Sequence, residues 1–373
     1  MRNINHVYVH IPFCKKKCPY CDFYSDESGS FDENEYHLLI KKEIKVRNLQ
    51  PEPKTIYFGG GTPSLFSPKF FKSFIGRFKK YPKEITVELN PEDININYLQ
   101  KLKKAGITRV SIGIQTFNNR LLKIIGRRHN AEKAISALEI ALSVFENVSA
   151  DLMIALPEQT EPELLGDISL IKKFDKLKHI SIYGFTLYKD TPMFKKRNRL
   201  HLSNDSMFEN FYRTTVKELE KLGFRQYEIS NFSKKNFECK HNLSYWLLHN
   251  YVGLGPAGAS FINNKYFKNI SNIEIYRKNL WNNKNLSAEE INFSSSELLK
   301  LKIGMGLRTI FGIALSIKEK EIFEKTALKS QMVQELLKEK IIFYNQGILK
   351  LNRQYFTVFN YIVTKIVEQL QNS

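Results

Sequence analysis

Six short runs rich in β-branched and aromatic residues recur through the first half of the chain: VYVHI (7–11), TIYFGG (55–60), EITVEL (84–89), RVSIGI (109–114), SADLMI (149–154) and HISIYGF (179–185). Between them lie longer segments of helical periodicity, at 34–49, 67–80, 95–105, 131–146 and 162–175. Strands separated by helices cannot pair as hairpins, so they form a parallel sheet that the helices cover. That pattern predicts an α/β fold. Six units are too few for the eight-stranded barrel, which leaves a partial (β/α)6 barrel as the expected architecture. In such folds ligands bind at the carboxyl ends of the strands, so the residues just after each strand are the ones to search for chemistry.

Past about residue 235 the texture changes. Asparagine-rich and aromatic segments lead into helical patterns at 295–309, 317–324 and 329–340, with no repeat of fixed period. A chain of 373 residues has room for one large domain and a smaller one. The expected division is a core at 1–235 and a smaller, mainly helical C-terminal domain at 236–373.

The segment after the first strand, HIPFCKKKCPYCDFYS (10–25), holds Cys14, Cys18 and Cys21, whereas the whole chain has 4 cysteines. No apolar run is long enough to span a membrane, and the N-terminus lacks the charged-then-apolar order of a secretory signal. The expected location is therefore the cytoplasm, where thiols stay reduced and a tight cysteine cluster points to metal binding or catalysis rather than disulfides. Two inorganic centres fit the C-x3-C-x2-C spacing. Zinc would need a fourth ligand, for which His10 and Cys239 are available, although zinc sites commonly come as two close pairs. An iron–sulfur cube held by three thiolates leaves one iron open to another ligand.

The formal charge is +19. Such an excess suits a nucleic acid, an anionic membrane surface or an acidic ligand. No nucleic-acid-binding motif accompanies it, and the lysines are spread over ordinary helix faces such as KKEIK (41–45). A lysine-rich composition accounts for the charge, so no specific nucleic acid is expected. Peripheral contact with a membrane is compatible with it.

The cysteine segment resembles the signature of the radical S-adenosylmethionine (SAM) superfamily, C-x3-C-x-φ-C, with Tyr20 in the aromatic position. The resemblance implies a [4Fe-4S] cluster on Cys14, Cys18 and Cys21, SAM chelated at the open iron, and reductive cleavage to a 5′-deoxyadenosyl radical. FGGGTPS (58–64) is similar to the superfamily's glycine-rich segment, where backbone can approach a ligand closely. Glu88 ends the third strand within VELNPE. SIGIQTF (111–117), GRRH (126–129) and DLMIALPEQT (151–160) extend the likeness to the oxygen-independent coproporphyrinogen III oxidase family. By that resemblance Tyr8, Gly60 and Glu88 would contact SAM at the cluster, and Tyr20 of the cysteine motif counts among the cofactor contacts. Gly61, Thr62, Gln115, Arg127 and Asp151 would line an adjacent SAM-related site.

The likeness runs on through HISIYGFTLYKDTPM (179–193), QYEISNF (226–232), CKHNLSYW (239–246) and MGLRTIFGI (305–313). Within the family the chain is most similar to the haem chaperone branch. Asp22-Phe23 follows the third cysteine where the oxidases have Gly-Cys, no long N-terminal extension precedes Cys14, and His241 to Trp246 read H-N-x-x-Y-W. The branch implies haem as cargo, a haem-acceptor protein and an electron donor as partners, and His241 and Cys239 as candidate axial ligands. The alternative is oxidative decarboxylation of coproporphyrinogen III. One departure stands out: GLGPAGAS (253–260) has Ala259 where related proteins carry histidine.

Overall fold

The computed structural model describes residues 4–27 and 32–370. Six parallel strands form its centre: β1 (His6–Ile11), β2 (Thr55–Gly60), β3 (Glu84–Leu89), β4 (Arg109–Gln115), β5 (Asn147–Ile154) and β6 (His179–Gly184). Helices α1 (Glu33–Val46), α2 (Pro68–Ile75), α3 (Ile96–Lys104), α4 (Asn119–Ile124), α5 (Ala131–Val144), α6 (Glu161–Ile171) and α7 (Asp205–Lys221) connect or follow them. All six sequence-read strands and all five helices between them are present, with ends within a few residues of those expected. Helices α4 and α7 are additions.

The strands alternate strictly. Val7, Val9, Ile56, Phe58, Ile85, Val87, Val110, Ile112, Val148, Ala150, Ile180 and Ile182 are all buried in the apolar core. They meet apolar helix residues such as Phe70, Phe71, Phe74, Leu99, Leu102, Leu138 and Ala141. The intervening residues are polar: Thr55, Tyr57, Glu84, Thr86, Glu88, Arg109, Ser111, Ser149, Asp151, His179 and Ser181. A parallel sheet covered by helices on both sides would be apolar on both faces. One polar face means that the sheet curves around something other than a packed core. Consistently, Tyr57 of β2 and Tyr183 of β6 line one common cavity, although three strands lie between theirs. The result is the open barrel that the strand count implies.

The sheet continues beyond the barrel at both edges. At β6 it adds β7 (Arg225–Glu228) and β8 (Asn231–Ser233), which pair antiparallel to each other. After the short α8 (Lys240–Trp246), strand β9 (Tyr251–Leu254) pairs parallel with β1. Antiparallel β10 (Ala259–Ile262), β11 (Lys265–Asn269) and, after α9 (Ile273–Trp281), β12 (Ser287–Asn292) continue that edge, and the whole sheet has 12 strands. The remainder is mainly helical, as expected: α10 (Ser295–Gly306), α11 (Ile317–Lys325), α12 (Gln331–Lys338) and α13 (Phe359–Glu368). With them lies a small sheet of β13 (Ile313–Ala314), β14 (Ile342–Asn345) and β15 (Ile348–Leu351). No helix among the described residues is long and apolar enough to cross a membrane.

Candidate functional site: a cysteine loop over a polar cavity

The cysteines lie on the loop after β1. Its ends are tied by the Cys14 amide donating to the Asp26 carbonyl at 3.0 Å and the Asp26 amide donating to Pro12 at 2.6 Å. Inside, the Cys21 amide donates to the Cys18 carbonyl at 3.0 Å. Pro19 is gripped from two sides. The Met193 amide donates to its carbonyl at 2.9 Å, and Gly126 packs so closely that a Cβ there would lie 2.7 Å from the proline ring. Tyr20 packs its ring near Phe185, with centroids 6.3 Å apart.

The triple glycine ends β2 directly beneath this loop. Gly60 has φ +111°, and a Cβ on it would lie 2.7 Å from the His10 ring. A Cβ on Gly61 would lie 2.7 Å from the Phe13 carbonyl. Only glycine lets the cysteine loop settle onto β2.

Beside the loop the barrel holds a cavity of about 410 Å³. Tyr20, Gly60, Gly61, Thr62, Glu88, Gln115, Arg127 and Asp151 all line it. Eight of the nine expected cofactor contacts thus converge. Tyr8 does not line it; its hydroxyl bonds His10 Nδ1 at 3.0 Å and its ring lies 6.2 Å from Tyr57. Sequence reasoning assigned no role to Asn90, Ser111, Tyr183 or Tyr188, which also line the cavity. Asn90 carried a signal, because it sits between a strand end and a proline.

Glu88 accepts from the Tyr57 hydroxyl at 2.7 Å and the Gly60 amide at 3.2 Å. Burial, only partly offset by those donors, pushes its carboxyl up to about 7. Asp151 accepts from Ser111 at 2.8 Å and Ser149 at 2.9 Å. Gln115 reaches the cavity because β4 bulges there: the register with β5 shifts between Gly113 and Gln115, and Gln115 takes φ +69°. A left-handed non-glycine residue costs about 1–2 kcal/mol, and bulges of this kind re-aim side chains at sites.

Arg127 is partly buried. It donates through Nη2 to Asn90 Oδ1 and to the Gly113 carbonyl, each at 2.8 Å, and through Nη1 to Cys18 Sγ at 3.5 Å. Burial opposes its charge, but Tyr20, Cys18 and Glu92 hold its pKa raised. The Thr62 hydroxyl donates to Cys14 Sγ at 3.3 Å. Burial raises the thiols of Cys14 and Cys21, so these sulfurs ionise readily only when bound to a metal.

This donor set fits an iron–sulfur cluster. The proposed fourth zinc ligands are engaged elsewhere. His10 bonds Tyr8 through Nδ1 and the Tyr24 carbonyl through Nε2, at 3.0 Å each. Burial takes it down to about 4. Cys239 is buried far from the loop, with its sulfur 3.6 Å from Glu84 Oε1.

The candidate haem ligands also lie away from the cavity. His241 is fully buried at the amino end of the barrel. Its Nδ1 bonds Thr55 Oγ1 and its Nε2 bonds the Tyr245 hydroxyl, each at 2.7 Å, and its ring stacks on Tyr57 at 5.2 Å. Glu84 accepts the amides of Lys240 at 3.0 Å and His241 at 2.9 Å. Burial pushes the Cys239 thiol up to about 12. Folded this way, neither side chain offers a free donor to iron; the H-N-x-x-Y-W helix is a plug in the barrel floor. Ala259 begins strand β10, which lies between β9 and β11, and does not line the cavity. Its neighbour Gly253 approaches so closely that a Cβ there would lie 2.2 Å from the Ala259 carbonyl oxygen.

The family profile described as the Radical SAM superfamily matches residues 8–171. Heme chaperone HemW of Buchnera aphidicola subsp. Schizaphis graminum is 34% identical over 357 residues, covering 92% of this chain and 91% of that protein. Heme chaperone HemW of Bacillus subtilis is 35% identical over 281 residues, covering 72% and 74%. The solved structure of coproporphyrinogen III oxidase (HemN) from Escherichia coli superposes with a TM-score of 0.82 at 18% identity, covering 98% of this chain and 90% of that one. At that identity the likeness is one of fold.

Proposed function

Since this chain belongs to the radical SAM superfamily, and within it to the family of the haem chaperone HemW, we propose that it binds haem and delivers it to acceptor proteins in the cytoplasm. The observation that carries this reading is the identity with the HemW proteins over nearly the full length of both chains. Asp22-Phe23 after the third cysteine points the same way. We further propose residues 1–235 as the radical SAM core and 236–373 as the C-terminal domain.

A [4Fe-4S] cluster on Cys14, Cys18 and Cys21 would supply one-electron chemistry and an open iron for SAM. The chain's own residues do the rest. Gly60 and Gly61 let the loop and strand close beneath the cluster. Glu88, held by Tyr57 and Gly60, offers a carboxylate to the SAM ammonium or ribose, and Asp151 and Gln115 offer further polar contacts in the same cavity. Arg127 and Thr62 donate to the cysteine sulfurs.

The test is a haem titration of the anaerobically reconstituted protein, with turnover of coproporphyrinogen III as the control. A saturable Soret band at about one haem per chain, with no protoporphyrinogen formed, supports the reading. Haem binding no tighter than to an unrelated basic protein, or sustained decarboxylation, overturns it.

A further inference from the structure

Two of the cluster sulfurs are joined by an unbroken chain of hydrogen bonds. Arg127 Nη1 donates to Cys18 Sγ at 3.5 Å, and Arg127 Nη2 donates to Asn90 Oδ1 at 2.8 Å. Asn90 Nδ2 donates to Thr62 Oγ1 at 3.3 Å, and Thr62 Oγ1 donates to Cys14 Sγ at 3.3 Å. The participants follow four successive strands, so the chain straps together the loops at the carboxyl ends of β1 to β4.

Chemistry fixes its polarity. Guanidinium nitrogens only donate, so the Asn90 oxygen must face Arg127 and the amide nitrogen must face Thr62. The Thr62 oxygen, already accepting from Asn90, is left with its proton for Cys14. Both ends of the chain therefore present a proton to sulfur, and both sulfurs must accept. That suits metal-bound thiolates, which are strong acceptors, better than a pair of free thiols, whose sulfurs accept weakly.

We propose that Asn90 is a positioning residue. It orients Arg127 and Thr62 so that both cluster sulfurs receive a donor, and it thereby sets how readily the cluster takes up an electron. Donors to cluster sulfurs favour the more negative, reduced state, and such outer contacts tune iron–sulfur potentials. Asn90 does this without touching a cysteine. The inference rests on the cluster reading above.

The experiment is a potentiometric titration of the reconstituted protein without SAM, followed by electron paramagnetic resonance, with iron and sulfide measured first. Wild-type protein that takes up neither iron nor sulfide would sink the cluster reading itself. Given a cluster, Thr62→Val should make its reduction about tenfold less favourable, a potential about 59 mV lower for one electron. Thr62→Ser, which keeps the hydroxyl, should return it to the wild-type value. Asn90→Ala should lower the potential at least as much, and adding Thr62→Val to it should change little more, because one bridge is lost only once. An unchanged potential and spectrum in Asn90→Ala with full iron overturns the proposal. If Asn90→Ala holds no cluster, the Thr62 pair decides, and equal potentials for Val and Ser overturn it.

Discussion

At the scale of single residues, the site is built from groups whose neighbours change their chemistry. Glu88 is the clearest case. Burial lifts its carboxyl from the ordinary 4.5 to about 7, so the folded chain favours the neutral form. Its contribution to stability is complete below about 4.5 and is lost as pH rises through about 7. Glu88→Gln should flatten that part of the stability curve, as denaturant midpoints measured from pH 4 to 8 would reveal. A SAM ammonium beside Glu88 would favour the charged form, so SAM affinity should rise as pH passes 7 in the wild type and stay flat in Glu88→Gln. Calorimetry at two pH values checks this. Replacing Cys14, Cys18 or Cys21 by Ala should abolish iron and sulfide uptake, and full retention in all three would refute the cluster assignment. The cysteines were legible from their spacing, and Glu88 from the likeness of its VELNPE context to the family. Asn90 showed only its place between a strand end and a proline, since its role lies in which way its amide points. His241 was legible as a motif, but its burial between Thr55 and Tyr245 was not, because only the fold brings those partners to it.

At the scale of elements, α8 has a task unrelated to its metal-ligating residue types. Seven residues long, it closes the barrel floor by giving its first amides to Glu84 and its histidine to Thr55 and Tyr245. Glu84→Gln would set a donor against a donor at the Lys240 amide or leave that amide unpaired, at a cost of about 1–3 kcal/mol. His241→Ala would leave a buried void and orphan the Tyr245 hydroxyl, while Thr55 keeps its bond to His6, at about 3 kcal/mol. Urea midpoints check both, and a His241→Ala protein as stable as wild type would contradict the plug. The barrel strands were readable from their β-rich runs. Strands β9 to β12 were not, because short strands such as KYFKN (265–269) carry lysine and asparagine and bury few of their side chains. Helix α7 offered an Asn204 cap and inward-facing Phe211, Tyr212 and Leu219, a pattern the sequence held but that passed unassigned.

At the scale of the whole molecule, one curved sheet carries both functions asked of it. Its apolar face anchors a ring of helices, and its polar face forms the wall of a cavity under the cysteine loop. The fold alone is shared with an oxidase, so the chaperone reading stands or falls on what the protein does with haem. The most direct measurement is transfer. Reconstituted protein loaded with haem and freed of excess is mixed with a haem-free acceptor enzyme, SAM and reductant, and acceptor activity is followed with its Soret spectrum. The account predicts that about one haem per chain passes to the acceptor, faster than from free haem at the same concentration. Haem that stays bound, or that passes no faster than from an unrelated basic haem-binding protein, would contradict it.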